Sequence, residues 1–139
     1  MIVGLGIDII EIKKLHDALD RNGNRLKNRT FTKTEIRYCE KHTNKFQHYA
    51  ARFAAKEAVF KALGTGWSQG VGWHDVEVCN LPTGNPQLLL SGKAYSIATK
   101  LGATKFWISL SHSDQYLSLI HISEPTRRYA ISYAVFCLK

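Results

Sequence analysis

Residues 52–66 of this 139-residue chain read RFAAKEAVFKALGTG. A single helix there carries Arg52, Lys56, Glu57 and Lys61, then stops at Gly64-Thr65-Gly66. One carboxylate among several cations, beside a glycine-rich helix end, suits a metal-bound polyphosphate. Mg²⁺ takes one or two protein carboxylates and completes its shell with water and phosphate oxygens. Neighbouring cations offset the remaining charge, and a guanidinium grips phosphate in a forked geometry. A second carboxylate, Asp8, ends the apolar run at residues 2–8, where a strand would hand over to a helix.

Each of these residues also has a plainer local role. Asp8-Ile9-Ile10-Glu11 is a capping-box pattern. Glu57 stands four residues before Lys61, the favourable order for an ion pair on one helix. Arg52 and Lys56 read equally as a solvated helix face. Gly64-Thr65-Gly66 is too short to be a phosphate loop alone, and a helix C-cap is its default role. His112, after Ser109 and Ser111, could be a strand-end histidine on the surface.

The elements that must position these residues are legible in outline. Residues 2–8 read as a buried strand, with Gly4 and Gly6 marking a bulge or a close backbone approach. A helix from Asp8 follows, with Ile9, Ile12, Leu15 and Leu19 at helical spacing and Lys13 and Lys14 off the apolar stripe. Asn22-Gly23 marks a turn in the basic stretch 20–30. Thr32 and Glu35 form a capping box, with Phe31 and Ile36 as the staple across it. That helix reaches about His42. The long motif helix spans about Lys45 to Leu63, its alanines permitting close packing. Strands at 73–79 and 87–90 flank a proline- and glycine-rich turn. A helix at 92–102 and a strand at 105–111 follow, Phe106, Ile108 and Leu110 sharing one side. This mixture predicts an α+β fold.

Composition bounds the rest. The length allows one domain with a real core. No apolar run approaches a membrane span, and the N-terminus lacks secretory-signal features. Three cysteines, with no CxxC pair, read as reduced packed thiols of a cytoplasmic protein. The histidines have no zinc-ligand spacing. A formal net charge of +8 favours an acidic partner: nucleic acid, an anionic membrane, an acidic protein or a phosphorylated metabolite.

Two motifs, with SLSH at 109–112, carry a resemblance. The chain resembles the holo-[acyl-carrier-protein] synthase family, the small phosphopantetheinyl transferases of fatty-acid synthesis, from Met1 to about Tyr116. The family's opening pattern, Gly-x-Asp-aliphatic-x-Glu, stands here as Gly6 to Glu11. Arg52 to Gly66 meets every fixed position of its signature. The resemblance implies a fold with a small antiparallel sheet around the long signature helix, assembled as a homotrimer with sites at subunit boundaries. It implies Mg²⁺ held by Asp8 and Glu57, and coenzyme A bound through Arg52, Lys61, Gly64, Thr65, Gly66 and His112. His112 would lie near the nucleotide end, reaching into a neighbouring subunit's site. Glu57, directly or through metal-bound water, would accept the proton of a carrier-protein serine, and Lys61 would offset charge on the leaving oxygen. The acidic helix of apo acyl carrier protein would dock on Lys13, Lys14, Arg21 and Arg25. Lys14 stands where the family usually has Arg, keeping the charge but losing the forked geometry.

The stretch 117–139 departs from the family. LSLIHISEPTR resembles translated transposon-type sequencing adapter, and ISYAVFCLK its flow-cell end. We read 1–116 as the transferase domain, truncated at its C-terminus, and 117–139 as a non-native tail whose Ile131–Leu138 could mimic the missing final strand. Two competing readings stand beside the transferase. One is a nucleic-acid-binding module, with Phe106 and Trp107 stacking bases. The other is an inactive fragment that keeps the pattern but cannot assemble. Against the first, the cations cluster around carboxylates that would repel a phosphate backbone.

Overall fold

The computed structural model of the chain describes residues 2–66, 68–113 and 129–137, with Ser113 and residues 129–137 described through their backbone. The order is β1 (Ile2–Glu11), α1 (Ile12–Thr30), α2 (Lys33–Glu40), α3 (Lys45–Leu63), a 3-10 turn at Trp73–Asp75, β2 (Val76–Asn80), β3 (Pro86–Leu90), α4 (Gly92–Lys100), β4 (Lys105–Ser113) and β5 (Tyr129–Cys137). An antiparallel sheet runs β1-β5-β4, and β2-β3 form a separate hairpin. The α+β architecture is the one expected.

Helix α3 is the hub. Near its start, Tyr49 and Ala50 join Ile12, Leu15, Leu19, Phe31 and Cys39 in one apolar cluster. Further on, Ala55, Ala58, Val59 and Ala62 join Val76, Val78, Leu88, Ala94 and Ala98 in a second. Small side chains on α3 let β1 come close. A Cβ on Gly6 would lie 1.8 Å from the Ala58 carbonyl oxygen, so only glycine fits there. The expected close approach is therefore real, and it sits two residues before Asp8 on the same face of β1.

The capping box forms as expected: the Glu35 amide donates to Thr32 Oγ1, and Glu35 Oε1 accepts from the Thr32 amide. Phe31 and Ile36 share the first cluster. Long helix α3 has the predicted bounds.

Three local expectations are corrected. Asp8 caps no helix: β1 continues through Glu11, paired with β5 as far as Glu11 opposite Tyr129, and α1 starts at Ile12 without a side-chain cap bond. The isoleucines at 7, 9 and 10 suit a strand, and cross-strand pairing outweighs the helical spacing read there. Asn22-Gly23 kinks the chain, Gly23 having φ 57° and ψ −145°, but helix resumes through Thr30. Residues 73–75 form a 3-10 turn, and the strand begins at Val76.

Strand β5 falls within the stretch read as adapter-derived and occupies the centre of the sheet, between β1 and β4. Residues 117–128 and 138–139 of that stretch lie outside the described residues.

Candidate active site

Strand β1 and helix α3 bring Asp8, Glu57 and Lys61 together. Lys61 Nζ donates to Asp8 Oδ1 at 2.9 Å and to the Ile7 carbonyl at 3.0 Å. The ion pair of Lys61 thus goes to Asp8 across 53 residues, rather than to its helical neighbour Glu57. Glu57 is half-buried. Its pKa is raised above the ordinary carboxylate value, first by burial and then by the Asp8 charge, with Lys61 pulling it back. A carboxylate whose pKa a neighbouring carboxylate raises favours a further cation beside it. No group of three metal-ligating side chains occurs among the described residues. A donor set of two carboxylates fits Mg²⁺, which completes its shell with water and phosphate oxygens, rather than a fully protein-ligated metal.

The helix end beside them is a glycine C-cap, as its sequence suggests. Gly64 is left-handed at φ 77°, and the Gly64, Thr65 and Gly66 amides turn back to the Lys61 and Phe60 carbonyls. Gly64 and Gly66 have open space where a side chain would stand. Thr65 is buried, its hydroxyl donating to the Gly66 carbonyl.

Lys56 does not belong to this group. It is fully buried, 2.7 Å from Glu35 Oε1, and donates to the Trp73 and Val76 carbonyls. Glu35 Oε2 accepts from the Val78 amide at 2.8 Å. Burial lowers the Lys56 pKa, and Glu35 partly restores it. Neither the solvated face nor the phosphate role applies, because helical geometry turns Lys56 toward α2 and β2.

Arg52 is likewise only 2 % exposed. Its guanidinium stacks 4.1 Å over the Tyr38 ring and donates to Asn80 Oδ1 at 2.6 Å. Buried Nε has no hydrogen-bond partner among the described residues. Arg52 nevertheless borders a cavity of about 270 Å³ that also takes in Gln47, His48, Asn80, Gly84, Pro86 and His112. Gln47 Nε2 lies 3.1 Å from the ring nitrogens of His112. Arg52 and His112 therefore share a cavity, about 7.5 Å of helix from Glu57, counting five residues along α3.

Lys13, Lys14, Arg21 and Arg25 are exposed along α1. Lys13 pairs with Asp17 at 3.3 Å. Beyond the kink, Arg25 borders a groove with Asn22, Leu26 and Arg29. Of the two candidate stacking aromatics, Phe106 packs against the core and only Trp107 is exposed.

The pattern of the 4′-phosphopantetheinyl transferase superfamily matches residues 4–134. A holo-[acyl-carrier-protein] synthase of Solibacter usitatus is 48% identical over 122 residues, covering 88% of this chain and 97% of its own. The chain belongs to this family of phosphopantetheinyl transferases. Among solved structures, the holo-[acyl-carrier-protein] synthase of Neisseria meningitidis superposes with a TM-score of 0.76 at 28% identity, covering 99% of each chain. That of Bacillus anthracis, determined with coenzyme A (3′,5′-ADP), gives 0.70 at 30% identity, covering 100% of this chain and 99% of its own.

Sequence reasoning about this transferase passed over Gln47, His48 and Asn80. Asn80 ties Arg52 to the hairpin, since its Nδ2 donates to the Gly84 carbonyl at 3.0 Å. One signal was available for His48: it precedes Arg52 by four residues, on the same face of a helix. Nothing local distinguishes Asn80 from any other residue before a turn.

Proposed function

We propose that this transferase moves the 4′-phosphopantetheine of coenzyme A to a serine hydroxyl of an apo acyl carrier protein, releasing adenosine 3′,5′-bisphosphate. The observation that carries it is the meeting of Asp8, Glu57 and Lys61 beside the open turn at Gly64–Gly66. The holo-[acyl-carrier-protein] synthase relatives and the coenzyme A complex of one of them point to the same substrates.

Asp8 and Glu57 are the residues that would hold Mg²⁺, which supplies charge neutralisation and polarisation of the pyrophosphate when bound. In the transfer, the serine oxygen forms its bond to phosphorus as the pyrophosphate P–O bond breaks. Glu57, its pKa raised by burial and by the Asp8 charge, takes the serine proton. Lys61, braced by Asp8 and the Ile7 carbonyl, faces the charge that builds on the leaving phosphate. Gly64 and Gly66 admit the pantetheine arm close to the backbone. The Arg52–His112 cavity takes the nucleotide end.

The exposed cations of α1 would meet the acidic carrier protein, setting association rate and register. Assembly as a homotrimer is supported by the outer face of the sheet. Leu5, Ile7 and Ile9 alternate outward on β1 at 62%, 49% and 57% exposure, with Trp107 at 60%. A face this apolar suits contact with further copies of the chain. No helix among the described residues is long and apolar enough to cross a membrane, and the free thiols of Cys39 and Cys79 suit the reducing cytoplasm.

The test is mass measurement of apo carrier protein incubated with the chain, coenzyme A and Mg²⁺. Conversion that needs all three, and falls a hundredfold or more in Glu57→Gln, about 2.7 kcal/mol of barrier, supports the reading. No conversion by the folded chain, or undiminished turnover in Glu57→Gln, refutes it.

A further inference from the structure

His48 has an unusual setting. It lies on the first half of α3, at the wall of the cavity that also holds Arg52 and His112. Behind it stand His42 and Tyr38, the His42 ring 4.1 Å away and the Tyr38 ring edge-on at 5.4 Å. His42 is itself fixed by Nδ1 against the Tyr38 carbonyl at 2.8 Å. Among the described residues, the titratable groups facing His48 are therefore His42 and Tyr38 from the α2 side, Arg52 from α3 and His112 from β4. Among the described residues no carboxylate lines the cavity, and the neutral walls come from Gln47, Asn80 and the Gly84–Pro86 turn.

We propose that His48 is a specificity-determining residue for the phosphorylated nucleotide end of coenzyme A, recognising the phosphoryl group as an imidazolium and taking up a proton when that group enters. This rests on the reading above that the cavity receives the nucleotide end. Burial first, and then His42, Arg52 and His112, hold the His48 pKa down to about 4 in the protein alone. Neutral imidazole is thus the resting form. A phosphoryl dianion reverses the electrostatic terms, because an opposite charge within a few ångströms favours the charged ring. Arg52 supplies a permanent charge, whereas His48 supplies one that appears only with an anion to match it. A ligand without the phosphate gains neither the attraction of Arg52 nor that of a charged His48. If the bound pKa reaches about 7, affinity for the phosphorylated ligand gains about tenfold at pH 6 over pH 8.

The experiment is calorimetric titration of the full chain at pH 6 and pH 8 with coenzyme A and with 3′-dephospho-coenzyme A, each in two buffers of different ionisation enthalpy. The phosphate's own second ionisation affects wild type and variants alike, so it cancels in their comparison. Wild type should prefer coenzyme A about tenfold more strongly at pH 6 than at pH 8, with a proton taken up from the buffer at pH 6. His48→Gln should lose both the extra preference and the proton. His48→Lys, charged throughout, should keep the preference at both pH values without the proton. If His48→Gln takes up the same proton and keeps the same preference as wild type, the inference is overturned while the transferase reading stands. A wild-type chain that binds neither compound overturns both.

Discussion

Gly6→Ala is the sharpest test of how the site is built. The new Cβ would lie 1.8 Å from the Ala58 oxygen, 2.8 Å from the Ala58 carbonyl carbon and 2.9 Å from the Ala62 nitrogen. These are backbone atoms of α3, so no side chain can swing away. Ordinary contact starts near 3.4 Å, so β1 must retreat by about 1.6 Å. Asp8 moves with it. The 2.9 Å bond from Lys61 would open to roughly 4.5 Å and cease to be a hydrogen bond. Overpacking of this kind costs about 1–3 kcal/mol of stability. Misplacing a catalytic group by about 1 Å can cost a hundredfold in rate, so turnover should fall at least that far even where the protein remains folded. Thermal melts establish the folded fraction, and mass measurement of carrier protein across a Mg²⁺ titration gives rate and metal requirement. A folded Gly6→Ala protein with wild-type rate and unchanged Mg²⁺ dependence would refute the claim that this contact places Asp8.

Four further outcomes follow from the geometry. Asp8→Asn should raise the Mg²⁺ concentration needed for half-maximal transfer, and an unchanged requirement would remove Asp8 from the metal site. Lys14→Glu should weaken carrier-protein binding far more than coenzyme A binding, with the loss steepest at low salt; equal losses for both substrates would contradict docking on α1. Glu35→Gln leaves Lys56 buried without its ion-pair partner and should cost about 3–5 kcal/mol in urea unfolding, whereas a loss below about 1 kcal/mol would show that Lys56 sheds its proton easily. His48 is neutral when folded but titrates near 6.5 unfolded, so the unliganded protein should lose stability as pH falls from 6.5 toward 4 and stay level above; urea midpoints that fall equally in His48→Gln would assign the loss to other groups.

Much of the fold was legible because it rests on local rules. The bounds of α3 follow from an alanine-rich helical run between Asn44 and a left-handed Gly64. The Thr32–Glu35 box fixes the start of α2. What was not legible depends on pairing across the chain. The isoleucines after Asp8 fit a helix or a strand by themselves, and only β5 at positions 129–137 makes them a strand. The same holds at the site. Glu57 next to a cation was readable, but that the cation answers to Asp8 instead is a tertiary fact. The Arg52–His112 cavity joins α2, α3, β4 and the β2–β3 hairpin, and no window of sequence contains it.

The four charged residues of the motif at 52–66 are best understood as two pairs. Arg52 and Lys56 are four residues apart, as are Glu57 and Lys61, and Glu57 follows Lys56 by one residue. One residue is a turn of about 100° on the helix. The first pair accordingly faces α2 and β2 and is buried, while the second faces β1 and the opening at Gly64. Lys56, bonded to Glu35 and to the Trp73 and Val76 carbonyls, fixes the rotation of α3 about its axis. That rotation decides where Glu57 points. The buried ion pair therefore bears on Glu57 through the orientation of the helix. Its loss should reduce turnover in proportion to the freedom α3 gains, while the contacts of Lys61 with β1 oppose that freedom from the other side.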